Sequence, residues 1–155
     1  MVHILLSLAL VFALTIAAIF LLGFKPLAVL SGDMRPTIPA GSMALAGPVT
    51  FGEIEEDVII AFRDADGTIL VRRVIEIDFS PPTLFTMRDA TETEDEDPVP
   101  YENVVGAVRL WIPLAGYALS FVSGPPGNYI AGAAVLVLIV LFLLLGEKKK
   151  QKIMI

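Results

Sequence analysis

Cysteine is absent from the 155 residues, which excludes disulfides, a thiol nucleophile and any cysteine zinc site. Histidine occurs once, as His3 in the N-terminal apolar stretch, so no imidazole base is available to the middle of the chain. Between Lys25 and Lys148 there is no lysine either. Charge is missing from Val2 to Phe24, His3 apart, and Tyr129 to Leu145 is an unbroken apolar run. No internal repeat is present. No EF-hand spacing with its positioned glycine occurs, so the acidic run at 92–97 reads first as a solvated loop and only weakly as a calcium site.

What is abundant is apolar residues, 55% of the chain, with a mean hydropathy of +0.76. They concentrate in the two end segments, each long enough for a bilayer core, which needs about 20 residues. The first is read as a retained anchor: its apolar run is about twice that of a secretory leader and no basic segment precedes it. The second is followed by Glu147-Lys148-Lys149-Lys150-Gln151-Lys152, and clustered lysines beside a span mark the cytoplasmic side. The expected organisation is an anchor at 1–25, an extracytoplasmic domain at 26–127, a second transmembrane helix at 128–146 and a cytoplasmic basic tail at 147–155. The expectation is a two-pass cell-membrane protein with both termini in the cytoplasm.

The middle segment holds sixteen acidic residues, Asp33 through Glu102, against six arginines, a balance of −10. Such a charge argues against nucleic acid and against anionic lipid head groups as partners of the domain as a whole. Short β-type runs alternate there with turn signals, and no stretch of 3.6-residue periodicity is long enough for a soluble helix. Strands are expected at Met43–Val49, Val58–Phe62, Ile69–Ile77, Thr83–Met87 and Val104–Ile112. A hairpin turn is expected at Asp64-Ala65-Asp66-Gly67.

Directly after the first apolar stretch comes Leu30-Ser31-Gly32-Asp33-Met34-Arg35-Pro36-Thr37, followed by Gly41-Ser42. This segment resembles the nucleophile motif of type I signal peptidases, Ser-Gly-Ser-Met-x-Pro-Thr. The resemblance continues through Glu56–Phe62, Val71-Arg72-Arg73-Val74-Ile75, Thr86-Met87-Arg88-Asp89, Pro98–Gly106 and Ile112–Tyr117. It points to the branch found in archaea, in the endoplasmic reticulum and in some Gram-positive bacteria, which pairs a serine with a histidine base. What it implies is a mainly β signal-peptidase-like domain flanked by an N-terminal and a C-terminal transmembrane helix, acting in protein export, with no cofactor and no metal.

Carried over position by position, the resemblance puts Asp33 at the nucleophile and Arg72 at the base, both substituted. It implies supporting acids at Asp89 and Asp95, and oxyanion or substrate roles for Ser31, Gly32, Met34 and Pro36. Ser31, Gly32 and Pro36 read equally well as turn residues that shape the entry into the first strand. An arginine holds its proton at physiological pH and cannot take one from a nucleophile. Opposite charges at two facing positions predict an Asp33–Arg72 ion pair. Three functions stay open. The first is a non-catalytic homologue that binds exported preproteins or pilin-like precursors, or assists an active peptidase or assembly enzyme. The second is an active signal peptidase with altered chemistry, for instance a carboxylate pair of Asp33 with Asp89 or Asp95. The third is a purely structural membrane protein.

Overall fold

A computed structural model describes residues 2–125, 127–130, 132, 133, 136 and 137, and for part of the first helix the backbone alone. The chain divides into two compact units, Met1–Tyr117 and Ala118–Ile155. Helix α1 spans Val2–Leu21, about 30 Å at about 1.5 Å per residue. It ends at Gly23, whose φ of +79° supports a cap in which the Phe24 N–H donates to Ile19 O and the Gly23 N–H to Phe20 O; a residue without Cβ enters that left-handed region freely. Among residues whose side chains are described, no helix is long and apolar enough to cross a membrane. The reading of α1 as an anchor therefore rests on the sequence. Most of the expected second span, and all of the lysine-rich tail, lie outside the described residues.

The first unit is mainly β. Its strands are β1 (Lys25–Val29), β2 (Ser42–Gly47), β3 (Ile59–Arg63), β4 (Ile69–Phe79), β5 (Pro82–Arg88), β6 (Thr93–Glu94), β7 (Val99–Pro100) and β8 (Val104–Ile112). They form one eight-stranded sheet in the order β1-β2-β8-β3-β4-β5-β6, with β7 also on β5. Every pairing is antiparallel. The turn at 64–67 closes the β3–β4 hairpin: the Asp64 N–H donates to Thr68 O and the Gly67 N–H to Asp64 O.

Strand β3 is buried at all four of Ile59–Phe62, because each face of the sheet carries a core. Ile59 and Ala61 join Val29, Met34, Ile38, Ala44, Ala46 and Val71 in the first. Ile60 and Phe62 join Ile54, Val74, Leu84 and Val99 in the second. A residue buried on alternate sides at every position cannot show the polar alternation of a half-exposed strand.

The sequence reading differs from the structure in several places. It omits β1, whose Pro26 lowers strand propensity; β1 pairs only with β2, and a proline without N–H is tolerated on an edge. It omits helix α2 (Ala115–Ser123), too short to display helical periodicity. The start of α2 is fixed by packing: Gly116 lies so close to Ser42 that a Cβ would come within 2.1 Å of Ser42 O, and its N–H donates to Gly41 O. Finally, a bulge between Val74 and Glu76 shifts the alternation of β4. Ile77 thereby packs with Val74 in the second core instead of sharing a face with Val71.

Candidate functional site

Arg72 and Arg73 are consecutive on β4, so their side chains leave the sheet on opposite faces. Arg72 is 4% exposed and lies on the face of Val74, beside Thr86 and Arg88 of β5. Its Nη2 is 3.1 Å from Asp33 Oδ2, its Nε 3.2 Å from Asp95 Oδ2, and its Nη1 donates to the Val71 carbonyl at 2.8 Å. The predicted Asp33–Arg72 pair is thus formed, with Asp95 as a third member. Asp95 is fixed in turn by the Thr86 hydroxyl, which donates to it at 2.8 Å, by Arg88 Nη2 at 3.1 Å and by its own N–H, which donates to Thr86 O. Two carboxylates and two guanidiniums leave this cluster neutral inside a strongly acidic domain.

Arg73 builds a second cluster on the other face. Its guanidinium grips Asp89 with two bonds, Nε to Oδ1 at 2.8 Å and Nη2 to Oδ2 at 2.7 Å. Nη1 reaches the Asp57 carbonyl at 2.8 Å and Nη2 the Thr37 hydroxyl at 3.3 Å. The hydrogen bonds from Arg73 hold the Asp89 carboxyl below its ordinary range against the opposing effect of burial, helped by Thr37. The same contacts raise the Arg73 guanidinium. Asp89, 6% exposed at its side chain, is therefore committed to Arg73 and does not support the base position. Of the two acids expected there, only Asp95 meets Arg72.

The loop from 30 to 41 connects the two clusters. Met34 and Ile38 are fully buried in the first core, Thr37 meets Arg73, and Asp33 meets Arg72 while its carbonyl accepts the Ala90 N–H at 2.9 Å. Gly41, at φ +80° and against the ring of Tyr117, closes the loop by donating its N–H to Val29 O. Met34 is consequently a core residue with no exposed surface, where the resemblance implied an oxyanion or substrate role. Ser31 and Pro36 are exposed. Gly32 lies under the Arg35 side chain, whose Nε would be 3.3 Å from a Cβ there.

A cleft of about 300 Å³ opens beside the Arg72 cluster, lined by Phe62 and Leu70, by Arg72, Arg88 and Asp95 of the cluster, and by the acids Glu94 and Glu96. The described acidic residues nowhere converge into a group of three that could hold a metal ion. The hydroxyls of Thr86 and Thr37 are engaged in the two clusters, Thr86 donating to Asp95 and Thr37 accepting from Arg73; buried Ser42 donates to Pro39 O. The sequence reading gave no role to Arg73 and none to Thr86. Strand periodicity was the signal for Arg73, since adjacent arginines on a strand must serve different faces. The sequence matches no protein-family model and no curated protein.

Proposed function

We propose that this chain is a signal-peptidase-like membrane protein of the export machinery whose site no longer cuts. In this reading it binds exported preproteins or pilin-like precursors, or assists an active peptidase or assembly enzyme. It is anchored by its two apolar segments, with the central domain outside the cell and both termini in the cytoplasm. One observation carries the non-catalytic reading: at the two positions where the resemblance requires a serine and its histidine, Asp33 and Arg72 face each other in a 3.1 Å ion pair. The attacking hydroxyl and the proton acceptor are both replaced, and the replacements satisfy each other.

The carboxylate-pair alternative is disfavoured by the same geometry. Arg72 bonds to both Asp33 and Asp95, and Asp89 is held by Arg73. Two carboxylates that share a proton must face one another with no cation bridging them. A binding role draws support from β1, whose outer edge has no strand partner among the described residues and which leads straight into the Ser31–Asp33 segment. An extended peptide can add itself to such an edge by main-chain hydrogen bonds.

The test uses the full chain, purified into vesicles and incubated with a synthetic preprotein. The expected result is an intact preprotein retained with the chain. Cleavage at the signal site refutes the non-catalytic reading, and failure to retain the precursor refutes the binding role.

A further inference from the structure

The 300 Å³ cleft beside the Arg72 cluster is lined by two stretches of chain, the β3–β4 hairpin and the acidic run at 93–97. On the hairpin, Phe62 and Leu70 are directly paired and Arg72 follows Leu70 by two residues. All three side chains therefore leave the sheet on one face. Phe62 is buried and Leu70 half-buried, so this face offers the cleft an apolar surface next to the ion pairs.

The acidic run has the composition of a solvated loop, yet it is fastened to the sheet. Thr93 and Glu94 pair with Arg88 and Met87 as β6, and the Asp95 N–H donates to Thr86 O at 2.8 Å. The Asp95 carboxylate meets both Arg72 and Arg88. These attachments hold Glu94, Glu96 and Asp97 at the cleft without the ordering entropy that a free loop would lose on binding.

Five carboxylates and two guanidiniums line the cleft. Both guanidiniums are already matched, Arg72 by Asp33 and Asp95 and Arg88 by Asp95. Asp64, Glu94, Glu96 and Asp97 have no ion-pair partner among the described residues, and all four are exposed. An anionic ligand is repelled by this excess. A metal ion lacks ligands, since no group of three that could hold one occurs among the described residues. The volume lies at the lower end of small-molecule sites, about 300–1,000 Å³, which suits a single long side chain. An apolar stem against Phe62 and Leu70 with a cationic head among the four acids is the arrangement of a lysine or arginine.

We infer that the cleft receives a lysine or arginine side chain of the bound precursor. The inference rests on the precursor-binding reading and adds a substrate class to it: precursors that carry a basic side chain in the segment held outside the membrane. The Arg72 cluster serves this site by its neutrality, because its two cations are held by Asp33 and Asp95 and do not compensate the four remaining acids.

The test again uses the full chain in vesicles, at about 0.15 M salt so that distant charges are screened. Two synthetic preproteins are compared, one with lysines in its mature part and a copy in which each of those lysines is glutamine. Wild type is expected to retain the lysine form roughly tenfold more tightly. Glu94→Gln, Glu96→Gln and Asp97→Asn together should abolish that difference and leave retention of the glutamine form unchanged. Glu55→Gln, Glu56→Gln and Glu102→Gln together remove the same charge from exposed positions outside the cleft lining, and should preserve the difference. Equal retention of the two preproteins by wild type overturns the inference and leaves precursor binding standing. Equal loss in both triple variants reduces the preference to the overall charge of the domain, and also overturns it. Retention of neither preprotein refutes precursor binding, and the inference with it.

Discussion

Replacing Arg72 by methionine removes the cation that joins Asp33 to Asp95, and the two acids should not feel its loss equally. Asp95 has a side-chain exposure of 14%, whereas Asp33 has 37% and can recover water. Taking one partner from a buried pair costs roughly 3–5 kcal/mol. Arg88 remains 3.1 Å from Asp95, which moves the expectation for Arg72→Met to the lower end, about 3 kcal/mol. Asp33→Ala should cost only about 1 kcal/mol, since solvent screens a pair exposed to that degree. Asp95→Ala should cost about 3 kcal/mol, because it strips Arg72 Nε and the Thr86 hydroxyl together. In double-mutant cycles the Arg72/Asp95 coupling should be about 2 kcal/mol and the Arg72/Asp33 coupling under about 1 kcal/mol. Urea unfolding of the detergent-solubilised chain, followed by the fluorescence of Trp111, the sole tryptophan, which packs on the first core, reads all of these. The reasoning is refuted if Arg72 and Asp95 prove additive within about 0.5 kcal/mol, or if Asp33 couples more strongly than Asp95.

Asp89 titrates below its ordinary range in the folded chain, so its contribution to stability is present above the unfolded value near pH ~3.9 and disappears as pH falls through the folded value. Wild type should therefore lose its advantage over Asp89→Asn progressively below about pH 4, as read by urea midpoints across a pH series. Gly116→Ala should destabilise by about 2–3 kcal/mol through its clash with Ser42 O, whereas Gly52→Ala, with nothing within 4 Å of its Cβ, should shift the midpoint by less than about 0.5 kcal/mol. Asp33→Ser combined with Arg72→His should create preprotein cleavage that neither single variant has. Adding Asp95→Asn should reduce that cleavage by about a hundredfold or more, while adding Asp89→Asn should leave it within severalfold; the reverse ranking would show that Asp89 orients the imidazole.

Strands β3, β4, β5 and β8 were legible as runs rich in β-branched residues, and the β3–β4 hairpin because the turn chemistry at Asp64–Gly67 is local. Val104–Ile112 falls on its expected limits. β6 and β7 were not legible, because strands of two residues exist only through their pairing with β5. In the site, the Asp33–Arg72 pair could be anticipated because a resemblance supplied the facing positions. The division of labour between Asp89 and Asp95 could not, since it depends on which face of the sheet each acid reaches, and acids after the end of β5 carry no alternation to reveal it. Met34 was misread for a related reason: in a loop, the side chain next to Asp33 can point into the core as easily as toward a substrate.

The Arg72 cluster draws its members from separate parts of the chain: Asp95 lies 23 residues beyond Arg72, Arg88 is on another strand, and Asp33 enters through a loop pinned at Ala90. The bridges from Arg72 to Asp33 and Asp95 cannot form until β4 and β5 are paired and the loop from 30 to 41 is in place, so closing them demands that loop entropy beforehand. The cluster is accordingly a late arrival in folding. Its contribution should appear almost entirely in how slowly the native state opens, with Arg72→Met speeding unfolding and leaving the rate of folding nearly untouched.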